Sequence, residues 1–298
     1  MLRNEFWKAE LRAGEIVAKL QLVSLPVDPF AIATHQGIVC NQIKSASLGV
    51  SGCLSKSGDD FTIFYGSGFP NAGFLRFTVA HELGHYFLDG HYEYIFADKR
   101  GRHQSDSGFG SEDKYEREAD AFAAALLMPE KLFLAGSGWT KTGFKAIESL
   151  AEACNTSLTA TAIRYACLSV DPIAVVCSMG RQIRFAFMSP SLKGTRGITW
   201  IKKNTAVPDG TATAKFNKDP SNIARARRVN STSTMETWFE GGGTAELVEE
   251  VIGLGEYGRT LTVLWTESLP DSDEAEGYRE DDLENMLPSD RWRQPRED

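Results

Sequence analysis

Arg76-Phe77-Thr78-Val79-Ala80-His81-Glu82-Leu83-Gly84-His85 is the stretch on which the reading of this chain turns. At about 3.6 residues per turn, His81 and His85 fall on one face of a helix, so both imidazoles can reach a single metal ion. Glu82 sits beside that face, close enough to act as a base, and the spacing is that of a zinc-peptidase helix. Phe77, Ala80, Gly84, Phe87 and Leu88 recur with helical periodicity, which predicts one face packed inward while another holds metal. The helix is expected to begin near Asn71 to Phe74 and to end at Asp89-Gly90, where glycine supplies a left-handed terminal residue. The plainer alternative is an amphipathic helix whose two histidines are structural.

Composition narrows the setting. The chain has 298 residues, 42% of them hydrophobic, enough for two domains with real cores. No stretch approaches a membrane span, and the N-terminus interleaves charge with apolar residues instead of forming a secretory segment, so the expectation is a soluble, cytoplasmic protein. Cys40, Cys53, Cys154, Cys167 and Cys177 are odd in number and scattered, with neither CxxC pairs nor a disulfide framework. The net charge of −8 is concentrated in the tail, where Leu269 to Asp298 carries eleven Asp/Glu and four Arg. The remaining body is nearly neutral, which argues against direct binding to nucleic acid; the one strongly basic run is Arg225-Ala226-Arg227-Arg228.

Outward from the metal helix, residues 5 to 22 read as an amphipathic helix through Phe6, Ala9, Ala13, Ile16, Val17 and Leu20, ended by Pro26-Val27-Asp28-Pro29. Short extended segments near Gly37–Cys40, Ser51–Leu54 and Phe61–Tyr65 predict a small antiparallel sheet, whose edge could accept a substrate strand. A polar loop is expected from about 97 to 111. Ser111 then offers an N-cap for a second helix, with apolar positions Ala119, Phe122, Ala123, Leu126 and Leu127 and Pro129 at its end. Segments 143–154 and 158–168 predict two further helices resembling a helix-turn-helix in outline. From Asp171-Pro172 the pattern becomes β-type, with strands expected at Ile173–Ser178, Arg184–Met188, Gly197–Lys202 and Leu261–Trp265.

A catalytic zinc takes three protein ligands and keeps one position open, so the two histidines need a third partner. Glu116, in Glu116-Arg117-Glu118-Ala119-Asp120, can complete a two-His, one-Glu set, and Asp120, one turn later, can hydrogen-bond a ligand imidazole. His91 lies ten residues after His81, as in the longer HExxHxxGxxH pattern, but that pattern needs Gly where this chain has Leu88, and Gly90 comes two places late. Glu118 is a further alternative.

The block from Arg76 to His85, followed by Glu116-Arg117-Glu118-Ala119-Asp120-Ala121-Phe122-Ala123 and Leu126-Leu127-Met128-Pro129, resembles the ImmA/IrrE family of zinc-dependent peptidases. Pro26-Val27-Asp28 and Ser51-Gly52 are also similar, so the resemblance covers about residues 20 to 135. It implies one Zn²⁺ per chain held by His81, His85 and Glu116, with Glu82 as catalytic base. It further implies cleavage of a helix-turn-helix transcriptional repressor, relieving repression of mobile-element or stress genes. His91, His103, Tyr92 and Tyr94 are the cleft or oxyanion donors to be considered.

The fold class expected is α+β. Residues 1–140 form a zincin-like peptidase domain with a metal helix, a second ligand helix and the small sheet, and 141–169 a helical extension. Residues 170–268 form a β-rich domain, sensory or GAF-like, and 269–298 an acidic disordered tail. The competing function is a non-catalytic, zinc-containing regulatory or binding protein.

Overall fold

The structure, a computed structural model, describes residues 6–43, 50–66, 72–96, 102–106, 113–136, 142–195, 197–267 and 269. The chain is mixed α+β and divides into two compact units, Met1–Leu168 and Ser169–Asp298. Among the described residues no helix is long and apolar enough to cross a membrane. The acidic segment 270–298 lies outside the described residues.

The first unit begins with α1 (Trp7–Lys19), which buries Ala9, Ala13 and Ile16 and packs on α5. Where the sequence suggested only a break, Asp28 caps a second helix, α2 (Pro29–His35): its carboxylate accepts from Phe30 N, and Pro29 occupies the first turn, where no backbone N–H is needed. Three strands follow, β1 (Val39–Ile43), β2 (Val50–Ser57) and β3 (Asp60–Gly66), and then the metal helix α3 (Ala72–Phe87). Gly90, at φ +80°, turns the chain directly into the short α4 (His91–Ile95).

The expected polar loop contains a fourth strand, β4 (Arg102–Asp106), which pairs antiparallel with β2. Its Arg-His-Gln-Ser-Asp sequence has no apolar alternation, so backbone pairing alone marks it as a strand. The sheet order is β1-β3-β2-β4. It is not wholly antiparallel as expected, because β1 runs parallel to β3 and only β2 is joined to β3 by a tight turn, at Gly58 with φ +62°. The strand against the metal helix, β2, is therefore interior, and among the described residues the outer strands are β1 and β4.

Helix α5 (Lys114–Leu127) starts later than expected. Asp113, not Ser111, is its N-cap, accepting from Tyr115 N; Ser111 lies outside the described residues. Then come α6 (Glu130–Gly136), α7 (Gly143–Cys154) and α8 (Leu158–Leu168). Buried Arg164 on α8 donates to Met128 O and pairs with Glu10 of α1 at 3.3 Å, tying the end of this unit to its beginning.

The second unit is a five-stranded antiparallel sheet of order β6-β5-β9-β8-β7, built from β5 (Ile173–Met179), β6 (Gln182–Met188), β7 (Arg228–Thr234), β8 (Glu246–Gly253) and β9 (Thr260–Trp265). Short helices α9 (Pro190–Lys193), α10 (Ala212–Phe216) and α11 (Pro220–Ala224) lie between β6 and β7. Trp238, Phe239, Met188 and Leu264 are among the residues of its main core. The expected strand at Gly197–Lys202 is absent, since this segment joins no ladder, although Thr199 N donates to Glu240 O. β7 escaped the sequence reading because its residues are polar and mostly exposed. β8 escaped because its alternation is interrupted by Glu249, which is nevertheless fully buried.

Candidate metal centre

Helix α3 is buried almost all round, and the residues from Thr78 to His85 are all enclosed. That is unusual for a helix with two histidines and a glutamate in one turn, since buried polar groups need partners. The partners come from α5. Glu116 and Asp120 lie four residues apart on one face of that helix, and Gly84 lets the two helices meet. A Cβ at Gly84 would lie 3.1 Å from Ala119 Cα and 3.2 Å from Ala119 O.

The close approach brings three ligand atoms together. His81 Nε2 is 3.1 Å from His85 Nε2 and 3.4 Å from Glu116 Oε2, and His85 Nε2 is 3.2 Å from Glu116 Oε1. Tetrahedral zinc with bonds of ~2.0–2.1 Å places its ligand atoms ~3.3 Å apart, so the triangle fits such an ion. His81, His85 and Glu116 form the cluster suited to a metal among the described residues. A carboxylate facing two imidazole edges in a largely enclosed site needs positive charge beside it, from a protonated imidazole or from a cation at the centre.

Asp120 Oδ1 lies 2.9 Å from His81 Nδ1. A carboxylate can only accept, so His81 carries a proton on Nδ1 and, when the ring is neutral, turns a bare Nε2 toward the cluster. Burial pushes His81 toward the neutral form. Hydrogen bonds to Asp120 and Glu116, with the charges of Asp120 and Glu82, overcome this, and without a metal the ring is raised to about 10. The pocket draws positive charge, as a proton or as a metal ion.

Glu82 is fully buried beside His81. Its carboxylate lies under β2 at Gly52, where a Cβ would come within 2.6 Å of Glu82 Oε1 and of Thr78 Cγ2. Gly52 thus gives the carboxylate its space. The clue in the sequence was the Ser51-Gly52 pair, but nothing in the spacing linked it to Glu82.

The remaining expected residues are dispersed. His91 is 1% exposed and lies behind His85, with Nδ1 3.1 Å from His85 Nδ1 and Nε2 3.1 Å from Glu118 Oε2. Both its ring nitrogens are engaged away from the triangle, so it neither joins the ligand set nor lines a cleft as an oxyanion donor. The reason is the late glycine: the chain turns at Gly90, after α3 has ended, and sets the ring against the outer edge of His85. Burial, only partly offset by Glu118, holds His91 below the usual histidine range. Glu118 is committed to His91 and, at 3.6 Å, to Lys114. Tyr92 OH accepts from Lys56 Nζ at 2.7 Å, and Tyr94 OH donates to Asp113 at 2.6 Å while its ring stacks on Tyr115. The His103 side chain lies outside the described residues; its backbone pairs with Leu54 in the sheet.

Residues 75–165 match the model of the IrrE N-terminal-like domain, Peptidase_M78, which takes in both helices of the centre. No curated protein matches the chain. A solved structure, that of a Mycobacterium tuberculosis transcriptional regulator, is similar with a TM-score of 0.56 over 87% of this chain and 76% of that one. At 12% sequence identity the likeness concerns the fold.

Proposed function

We propose that this chain, which carries an IrrE N-terminal-like peptidase domain over residues 75–165, is a zinc-dependent endopeptidase with His81, His85 and Glu116 as ligands and Glu82 as catalytic base. The observation that carries the reading is the convergence of the three ligand atoms within 4.8 Å of one another, with a buried glutamate one residue from the first of them.

Zinc bound there supplies a Lewis acid for the peptide carbonyl and lowers the pKa of water toward ~7. Glu82, held between His81 and Gly52, takes the proton from the attacking water and returns it to the leaving amine. Asp120 keeps His81 in the tautomer that leaves Nε2 bare. An extended substrate that pairs with the first sheet does so along an outer strand, because β2 is already flanked by β3 and β4.

The substrate in this reading is a helix-turn-helix transcriptional repressor, which the family resemblance implies. The five-stranded second unit then serves as the sensory, GAF-like part that governs cleavage, and the place of action is the cytoplasm. A second reading is a zinc-containing regulator without peptidase activity. Incubating zinc-loaded protein and a Glu82→Gln variant with a repressor encoded beside this gene separates the two. Two defined fragments from the native protein alone support the peptidase, whereas intact repressor in both supports the regulator.

A further inference from the structure

We propose that His91 and Glu118 form a positioning pair that holds His85 in the tautomer required of a metal ligand, an inference that rests on the zinc-site reading above. The argument is one of hydrogen-bond direction. Glu118 Oε2 lies 3.1 Å from His91 Nε2, and a carboxylate accepts, so this nitrogen carries the proton and donates. The other nitrogen of the same ring, Nδ1, lies 3.1 Å from His85 Nδ1. Two ring nitrogens at that distance form a hydrogen bond when one of them carries the proton and the other accepts. If His85 is to offer a bare Nε2 to a metal, its own proton resides on Nδ1 and is donated to His91 Nδ1. The chain Glu118, His91, His85 therefore has a single consistent direction, and its far end is the bare Nε2 that sits 3.2 Å from Glu116 Oε1.

The arrangement parallels Asp120 and His81 but is one residue longer. Asp120 reaches its histidine directly, whereas Glu118 acts through a second imidazole. The relay is built in place. His91 is 1% exposed, the ring of Tyr115 packs edge-on against it at 5.0 Å, and its backbone N–H donates to Leu88 O in the turn made by Gly90. Lys114 holds the second oxygen of Glu118 at 3.6 Å, leaving Oε2 for His91. Outer partners of this kind orient a ligand and raise its basicity, and their loss typically weakens metal affinity ~10–100-fold.

The test is a Zn²⁺ titration of the metal-free full-length protein against a competing chelator, with the Co²⁺ absorption spectrum as a second readout. His91→Phe keeps the buried ring and removes the acceptor, and is expected to weaken zinc binding ~10–100-fold and to alter the Co²⁺ bands. His91→Gln, whose amide oxygen can accept from His85 Nδ1, is expected to recover part of the loss. Glu118→Ala, at a side chain 22% exposed, is expected to give a smaller loss of the same sign and decides the matter if His91→Phe does not fold. A merely structural His91 would lower the melting temperature of the metal-free protein and leave zinc affinity unchanged. Native-like affinity and spectrum in folded His91→Phe, or in Glu118→Ala, would overturn the pair. If affinities move as expected but no substrate is cut, the pair stands and only the peptidase reading falls; if the native protein binds no zinc, both fall.

Discussion

Two carboxylates, one in each unit, the first fully buried and the second largely so, show how the same group is used for opposite ends. Glu249 in β8 is fully buried and accepts from Ala212 N at 3.0 Å, Thr213 N at 2.7 Å and Thr213 Oγ1 at 2.6 Å, so its charge is met by the first turn of α10. Glu116 in α5 turns its oxygens toward two imidazole nitrogens whose protons, in the ligand tautomer, lie on the far side of each ring. The first arrangement is complete in the protein alone and fastens a helix to a sheet. The second is an arrangement of acceptors around a point, and a cation at that point completes it. Burial alone does not mark a functional carboxylate; the direction of its neighbours' hydrogens does.

The sharpest way to break the comparison is to remove a ligand. His85→Ala should abolish cleavage and reduce zinc affinity by more than the ~10–100-fold that loss of an outer partner costs, as read by chelator competition. Glu249→Ala should leave that affinity unchanged. Zinc removal sharpens the same contrast: if zinc is present at 1,000 times its dissociation constant, its loss costs the native protein ~4 kcal/mol of stability, seen as a lower melting temperature on chelation. The chelator should have no such effect on His85→Ala.

Gly52→Ala should act on Glu82 and its neighbour Thr78 and leave the three ligands in place. A methyl group where Glu82 Oε1 already stands at 2.6 Å must displace the carboxylate. Cleavage should fall ~10²-fold while zinc stays bound, since misplacing a reacting group by ~1 Å costs about that much. Glu249→Ala should destabilise the second unit by ~1–3 kcal/mol through the donors it leaves unmet, measured by denaturant unfolding. The smallest effect is expected from Gly84→Ala. Its Cβ would sit 3.1–3.3 Å from Ala119, so α3 and α5 must part by a few tenths of an ångström, at a cost of ~1 kcal/mol.

The parts of the molecule that could be read from sequence are those where side-chain pattern and backbone role coincide. The helix bearing His81 and His85 is one, and β5 and β9, with their runs of buried Val, Ile and Leu, are others. Where pairing is set by the backbone, the side chains are silent. β4 and β7 are polar and are strands because neighbouring strands offer them partners. Helix α2 was hidden by reading Pro29 only as a breaker, although proline in a first turn behind an Asp cap begins a helix.

The centre divides in the same way. Ligands one turn apart on a helix follow from periodicity, but Gly52 under Glu82 and His91 behind His85 depend on contacts between elements that no local spacing encodes. Glu118 stood as an alternative to Glu116, and no local spacing revealed its partner, which is the imidazole of His91.

The central claim, that the cluster is a working peptidase centre, is tested most directly by intact-mass analysis of a helix-turn-helix repressor after incubation with zinc-loaded native protein and with Glu82→Gln. The account predicts two complementary fragments from the native protein and none from Glu82→Gln, with one zinc ion retained by each. Equal fragmentation by both proteins, or an uncut repressor with the native protein fully loaded, would contradict it.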